Sequence, residues 1–222
     1  MDHSKDATIR LARAYAEKGD PDGWFEEFYA RSGGDIHKIY WADLAPNAQL
    51  VEWLDRFAHP AGSRAITIGC GLGDDAELLA KYGYRVLAFD ISPSAIAMCR
   101  KRYPGSRVEY QEADLFDHPP GWDRGFDLVY ECNTIQILTG ENRARALLSI
   151  ADLTAPGGVV LVSCRSRRTG DQEDAFPVAM DREEIDGFRR AGLEEMALRS
   201  YDDDQDPPVP HFFAVYRRPA VE

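Results

Sequence analysis

The run Ile66-Thr67-Ile68-Gly69-Cys70-Gly71-Leu72-Gly73 puts glycine at three alternate positions directly after an apolar segment, with Asp74 and Asp75 next. Glycines at such a place let the chain turn tightly and let a ligand lie against the backbone. The N–H groups of a following helix, expected over Ala76–Tyr82, then face the ligand's negative end. The spacing is G-x-G-x-G, whereas a dinucleotide fingerprint needs glycine at position 74, where this chain has Asp74. Two carboxylates at a helix start repel a pyrophosphate. They can cap the helix themselves, and they tolerate a ligand that offers one carboxylate and a sulfonium cation. A glycine turn that serves packing alone is the plainer alternative. Asp90 closes the apolar run Val86–Phe89 at the interval of an acid that accepts hydrogen bonds from ribose hydroxyls. Ala113-Asp114-Leu115 follows a third such run, where an acid or its neighbouring backbone could meet an adenine edge.

These residues need a scaffold that brings strand ends together. Arg64–Ile68, Arg85–Phe89, Arg107–Tyr110, Asp127–Glu131 and Val159–Cys164 read as short strands, several almost continuously apolar, as in a parallel sheet buried on both faces. Helical patterns lie between them. Ser92-Pro93 is an N-cap followed by proline at the first helical position. Ala144, Leu147, Leu148 and Ala151 form an amphipathic stripe, and Asp181 with Glu184 has capping-box spacing. Pro156-Gly157-Gly158 reads as a turn into the fifth strand. Leu193–Tyr201 and His211–Tyr216 have no helical pattern between them, which predicts an antiparallel pair across the acidic loop Asp202–Pro210. The fold expected is α/β: a Rossmann-like, doubly wound, seven-stranded sheet with an antiparallel last strand and helices on both faces. Residues 1–58 are expected to form a helical, aromatic cap and 59–222 the core of a single domain, 1–222.

Composition limits the partners. The 222 residues carry 26 basic and 38 acidic side chains, a net charge of −12, which disfavours nucleic acid and anionic membranes. No apolar run approaches the roughly 20 residues of a membrane span, and the first residues lack the apolar core of a secretory signal. Cys70, Cys99, Cys132 and Cys164 are scattered without metal-ligand spacing, as in a reduced, cytoplasmic protein with no metal.

Gly69-Cys70-Gly71-Leu72-Gly73, Asp90, Ala113-Asp114-Leu115 and Asp127-Leu128-Val129-Tyr130-Glu131 together resemble the successive motifs of class I S-adenosylmethionine-dependent methyltransferases, over about residues 64–217. Phe25, Tyr29 and the segment Tyr40-Trp41-Ala42-Asp43-Leu44 resemble, more loosely, the thiopurine methyltransferase-like branch. The resemblance implies S-adenosylmethionine as cofactor. Gly69, Cys70, Gly71 and Gly73 would then lie along its methionine part, Asp90 and Ile91 at the ribose, and Asp114 and Leu115 at the adenine. Glu131 would border the methyl group, with Trp41 as cover. The family's first motif usually has an acid two residues before the first glycine. Here that residue is Thr67, so either another acid such as Glu131 compensates or the contact is weaker.

In-line placement of a nucleophile against the methyl carbon supplies much of the acceleration of such a transfer, and aromatic rings attract a sulfonium. The expected acceptor is a small-molecule thiol, hydroxyl or heterocyclic nitrogen, bound by a monomer or homodimer. Phe28, Tyr40, Gln136 and Arg165 are the candidate acceptor contacts. His37, Tyr40 and His211 are candidate bases that no spacing separates, so no catalytic residue is assigned. Gly33-Gly34 could hinge the cap over the cofactor. The alternatives are a non-catalytic S-adenosylmethionine-binding module and, less favoured by the missing glycine, an NAD-dependent oxidoreductase.

Overall fold

A computed structural model describes residues 4–20, 22–57, 60–168 and 176–220. The boundary expected near residue 58 lies outside the described residues. Seven strands run β1 (Arg64–Ile68), β2 (Arg85–Asp90), β3 (Glu109–Glu112), β4 (Phe126–Cys132), β5 (Thr154–Arg165), β6 (Glu194–Asp202) and β7 (Pro210–Arg217). They form one sheet in the order β3-β2-β1-β4-β5-β7-β6. The first five are mutually parallel, and β7 is antiparallel to both β5 and β6. Strand order reverses between β1 and β4, so the carboxyl ends of these two strands border the crevice where ligands of open α/β sheets bind.

The helices are α1 (Lys5–Ala16), α2 (Gly23–Ser32), α3 (Ala48–Arg56), α4 (Asp74–Lys81), α5 (Pro93–Arg102), α6 (Gly140–Leu153), α7 (Arg182–Ile185) and α8 (Gly187–Arg190). Alternate strand residues point to opposite faces. On one face Leu128, Tyr130 and Leu161 pack with Leu50 and Leu54 of α3, Leu79 of α4 and Ile96 of α5. On the other, Ile66, Val129 and Val160 pack with Leu147 and Ile150 of α6 and Phe188 of α8. A third cluster joins α1 and α2 to the sheet through α5: Trp24, Phe28, Tyr29 and Ile39 meet Leu72, Ala95 and Met98.

Two expectations shift. β3 starts two residues late, because its ladder to β2 begins with Glu109 opposite Leu87. Pro156-Gly157-Gly158 lies inside β5 and is not a turn before it; the register against β4 slips between Phe126 and Leu128. Gly157 has φ +78°, and a side chain on Gly158 would come within 2.9 Å of the carbonyl oxygens of Ala155 and Phe126, so glycine is required at this irregularity. The Ser92 cap and the Asp181–Glu184 capping box form as the spacing predicts. All four cysteines are free thiols. No described helix is long and apolar enough to cross a membrane.

Candidate active site

The glycine turn leaves β1 with φ of +57°, +53° and +86° at Gly69, Gly71 and Gly73. A side chain on Gly73 would come within 2.6 Å of the Tyr110 hydroxyl, which is itself fixed on Glu77 at 2.7 Å. The Gly71 N–H donates to Asp90 Oδ2 at 3.0 Å, and the Ser92 N–H donates to Asp90 Oδ1 at 2.9 Å. Asp90 thus ties the turn to the end of β2 and the start of α5, while each oxygen keeps a lone pair. Burial raises its pKa against the pull of these two N–H groups. The Cys99 thiol donates to the Gly71 carbonyl at 3.1 Å.

The cap reaches the same place. Ser92 donates to Glu26 Oε2 at 2.7 Å, and Ser94 donates to Glu26 through its N–H (3.0 Å) and hydroxyl (2.7 Å). A helix N-terminus favours such a carboxylate. Asp22 lies near Asp114, and burial and then Asp114 raise its pKa. Asp114 Oδ1 accepts the Phe116 N–H at 2.8 Å, beside half-buried Ile91 and buried Leu115.

Directly beneath the turn, Thr67 pairs with Tyr130 and Ile68 with Glu131 across β1 and β4. Glu131 is 0% exposed. Its Oε1 accepts the Thr134 and Ile135 N–H groups at 2.6 and 2.9 Å. Glu131 Oε2, Thr67 Oγ1 and the Tyr130 hydroxyl are buried without a hydrogen-bond partner. Burial lifts the Glu131 pKa to about 7, and it lifts that of Asp75 to about 6. Asp75 accepts the Asn47 N–H at 2.7 Å on the face shared with Thr67 and Tyr130. Glu131 points to the face opposite Thr67, and Asp75 is the carboxylate on the side of Thr67.

A pH dependence follows. The folded state holds a proton on Glu131 up to about pH 7 against an ordinary 4.5, so ionisation costs stability as pH rises through that window, by about 3 kcal/mol in full. Glu131→Gln removes the titration. The variant is expected to gain on wild type between pH 5 and pH 8 by most of that amount, and an equal difference in melting temperature at both pH values would contradict the assignment.

Trp41 stacks on Phe28 (centroids 4.3 Å apart) and meets Trp24, Tyr29 and Tyr40 edge-on. The Tyr29 hydroxyl lies 3.3 Å from where a side chain on Gly71 would begin. Burial and then Asp90 raise its pKa, and Trp41 donates to it. Phe28 is buried in the cap, whereas Tyr40 is largely exposed. Gly33, of the Gly33-Gly34 pair, is the left-handed C-cap that ends α2 and donates to the Ala30 carbonyl at 3.1 Å.

At the ends of β5 and β7, Arg165 pairs with His211 in register. Gln136 is buried, and its Oε1 accepts the Arg165 N–H at 2.7 Å. His37 is exposed. His211 is buried, stacked on Tyr201 at 5.3 Å, with Nδ1 2.9 Å from the Val209 carbonyl. Burial lowers its pKa, so the ring is neutral at pH 7. Asn47, the N-cap of α3, bridges Cys132 (3.6 Å) and Ser163 (3.4 Å), and Ser163 is 2.7 Å from the Tyr201 hydroxyl.

Sequence reasoning missed Glu26 and Asn47 altogether and read Asp75 only as a helix-start acid. Each acts through a contact 28 or more residues away in the chain, and only Ser92-x-Ser94 offered a hint of a carboxylate at α5.

Residues 65–158 match the model of a methyltransferase domain. The chain is 32% identical over 162 residues to the cypemycin N-terminal methyltransferase of a Streptomyces species, covering 69% of this chain and 65% of that protein. It is 30% identical over 123 residues to the ubiquinone biosynthesis O-methyltransferase of Aromatoleum aromaticum, covering 54% and 52%. The chain therefore spans between about half and two thirds of the length of these relatives. Among solved structures, the N-methyltransferase NodS of Bradyrhizobium japonicum in complex with S-adenosyl-L-homocysteine has the same fold, with a TM-score of 0.67 at 20% identity over 87% of this chain and 98% of that one. Residues 65–158, which carry the glycine turn at the switch point of the sheet, are thus similar to a methyltransferase domain, and the sheet as a whole has the fold of solved methyltransferases.

Proposed function

We propose that this chain binds S-adenosylmethionine at the β1–β4 crevice and transfers its methyl group to a small-molecule nucleophile. The observation that carries the reading is the chemistry of the donor set. Asp75, Asp90 and Glu131 surround the glycine turn, all three with pKa values raised by burial, and Glu131 Oε2 and Thr67 Oγ1 have no partner. Buried carboxylates that ionise reluctantly suit a ligand bringing positive charge, and they oppose a pyrophosphate.

Bound there, the cofactor supplies an electrophilic methyl on a sulfonium whose thioether product is a good leaving group. Gly69, Cys70, Gly71 and Gly73 give backbone against which its amino-acid part can lie, and Asp75 offers the ammonium a carboxylate. Asp90 and Ile91 would hold the ribose, and Asp114 and Leu115 the adenine. Glu131 stiffens the end of β4 beside the reacting centre. Trp41, Phe28 and Tyr29 exclude water and face the cation with aromatic surface. His211, neutral and oriented by the Val209 carbonyl, is the candidate base best placed among His37, Tyr40 and His211. The aromatic pair and the Trp41 segment support the thiopurine methyltransferase-like branch. The free thiols suit a reducing compartment such as the cytoplasm.

Trp41→Ala tests the cap. It loses one stacked ring and a hydrogen bond to Tyr29, so the ligand-free protein should lose about 1–2 kcal/mol of stability. Affinity for S-adenosylhomocysteine, measured by calorimetry on the folded protein, should fall severalfold. A strongly destabilised variant with unchanged affinity would make these aromatics ordinary core.

A further inference from the structure

The described arginines with little exposure are nearly all satisfied. Arg102 pairs with Asp74, Arg143 with Glu184, Arg167 with Asp181, and Arg218 donates to the carbonyls of Thr154 and Ala151. Arg165 differs. It is half-buried at the carboxyl end of β5, and among the described residues its guanidinium has neither ion pair nor hydrogen bond. Acids are not scarce, since the chain has 38 of them against 26 bases. Arg165 bears on the ionisation of the Tyr40 hydroxyl, a neutral phenol at pH 7, and of the His211 ring, whose pKa burial lowers, so neither supplies it a counter-charge. Asp203 lies on the far side of His211, at 3.9 Å from Nδ1, and is spent on the N–H groups of Val209 (2.8 Å) and Gln205 (3.2 Å). A half-buried guanidinium without a counter-charge keeps its fork of donors free, and that fork matches an oxyanion.

We infer that Arg165 is the specificity residue of the acceptor subsite and that it takes an oxyanion, a carboxylate or phosphate carried by the methyl acceptor, between Tyr40 and His211. The inference rests on the methyltransferase reading for the identity of the subsite as the acceptor's. It narrows that reading to nucleophiles bearing an anionic group at a distance from the reacting atom. Such an acceptor would be held by its anion at the carboxyl end of β5, the strand that pairs with β4 at the crevice.

The test is titration of the S-adenosylhomocysteine-saturated protein, followed by NMR, with benzoate, phenyl phosphate, benzylamine and benzyl alcohol. At least one anion is expected to bind about tenfold more tightly than benzyl alcohol, as one charge-assisted bidentate contact allows. Whether benzoate or phenyl phosphate binds better tells a carboxylate site from a phosphate site. Arg165→Gln should abolish the preference and Arg165→Lys should retain part of it. Affinity for S-adenosylhomocysteine and the melting temperature should stay unchanged in both. The inference is overturned if benzylamine or benzyl alcohol binds as tightly as both anions, if neither anion binds at millimolar concentration, or if the preference survives in Arg165→Gln. Failure to bind S-adenosylhomocysteine would instead strike the methyltransferase reading, and the same four probes on the unloaded protein would still decide the anion site.

Discussion

Asp90→Ala is expected to weaken S-adenosylhomocysteine binding tenfold or more and to lower the stability of the free protein as well. Asp90 has two tasks that the substitution removes together. Its oxygens accept the Gly71 and Ser92 N–H groups at 3.0 and 2.9 Å, which holds the glycine turn against α5. In the proposed complex the same carboxylate would also accept from the ribose hydroxyls. A hydrogen bond to a charged group contributes about 1.5–3 kcal/mol, so losing even one to the ribose gives roughly the tenfold change. Two buried N–H groups left unsatisfied add a stability loss of about 1–3 kcal/mol each at most. Asp90→Asn separates the tasks. It retains one carbonyl acceptor for the turn and removes the charge, so affinity should fall further than stability. Calorimetry and thermal melting on both variants measure this. Unchanged affinity in Asp90→Ala would show the ribose to be held elsewhere.

Much of the scaffold was legible in the sequence for a simple reason. Strands buried on both faces must be apolar throughout, so β1, β2 and β4 announced themselves, and the lack of helical periodicity before β7 announced the reversal. Local signals carried equally well: Ser92, the Asp181–Glu184 box and the glycine turn are all fixed by neighbours within a few residues. Edge strand β3 and the irregular start of β5 were read less well, because a ladder's register and a bulge depend on the partner strand. The site was legible where it is built by strand ends and obscure where it is built across the fold. Nothing near Glu26 says that it docks on α5, and nothing near Asn47 says that its N–H meets Asp75. The alternation of β4, which sends Glu131 to one face and Tyr130 to the other, puts Glu131 and Thr67 on opposite faces of the sheet, and Asp75 on the side of Thr67 comes from a different element. Gln136 has the residue type of a substrate contact and sits by the crevice, yet its amide oxygen is spent on Arg165.

The central claim is that the crevice holds a cationic adenosyl cofactor and not a dinucleotide, and a calorimetric titration of the purified chain with S-adenosylmethionine, S-adenosylhomocysteine and NAD tests it most directly. Asp74 and Asp75 open α4 where a pyrophosphate would need to approach, and Asp75, Asp90 and Glu131 place buried carboxylates around the turn. Both adenosyl compounds are therefore expected to bind, and NAD is not. As pH rises from 5 to 8, Asp75 and Glu131, with pKa values of about 6 and about 7, ionise, so affinity for S-adenosylmethionine, with its sulfonium charge, should increase more than affinity for the thioether product, which lacks it. Tight binding of NAD with no response to either adenosyl compound would contradict the account.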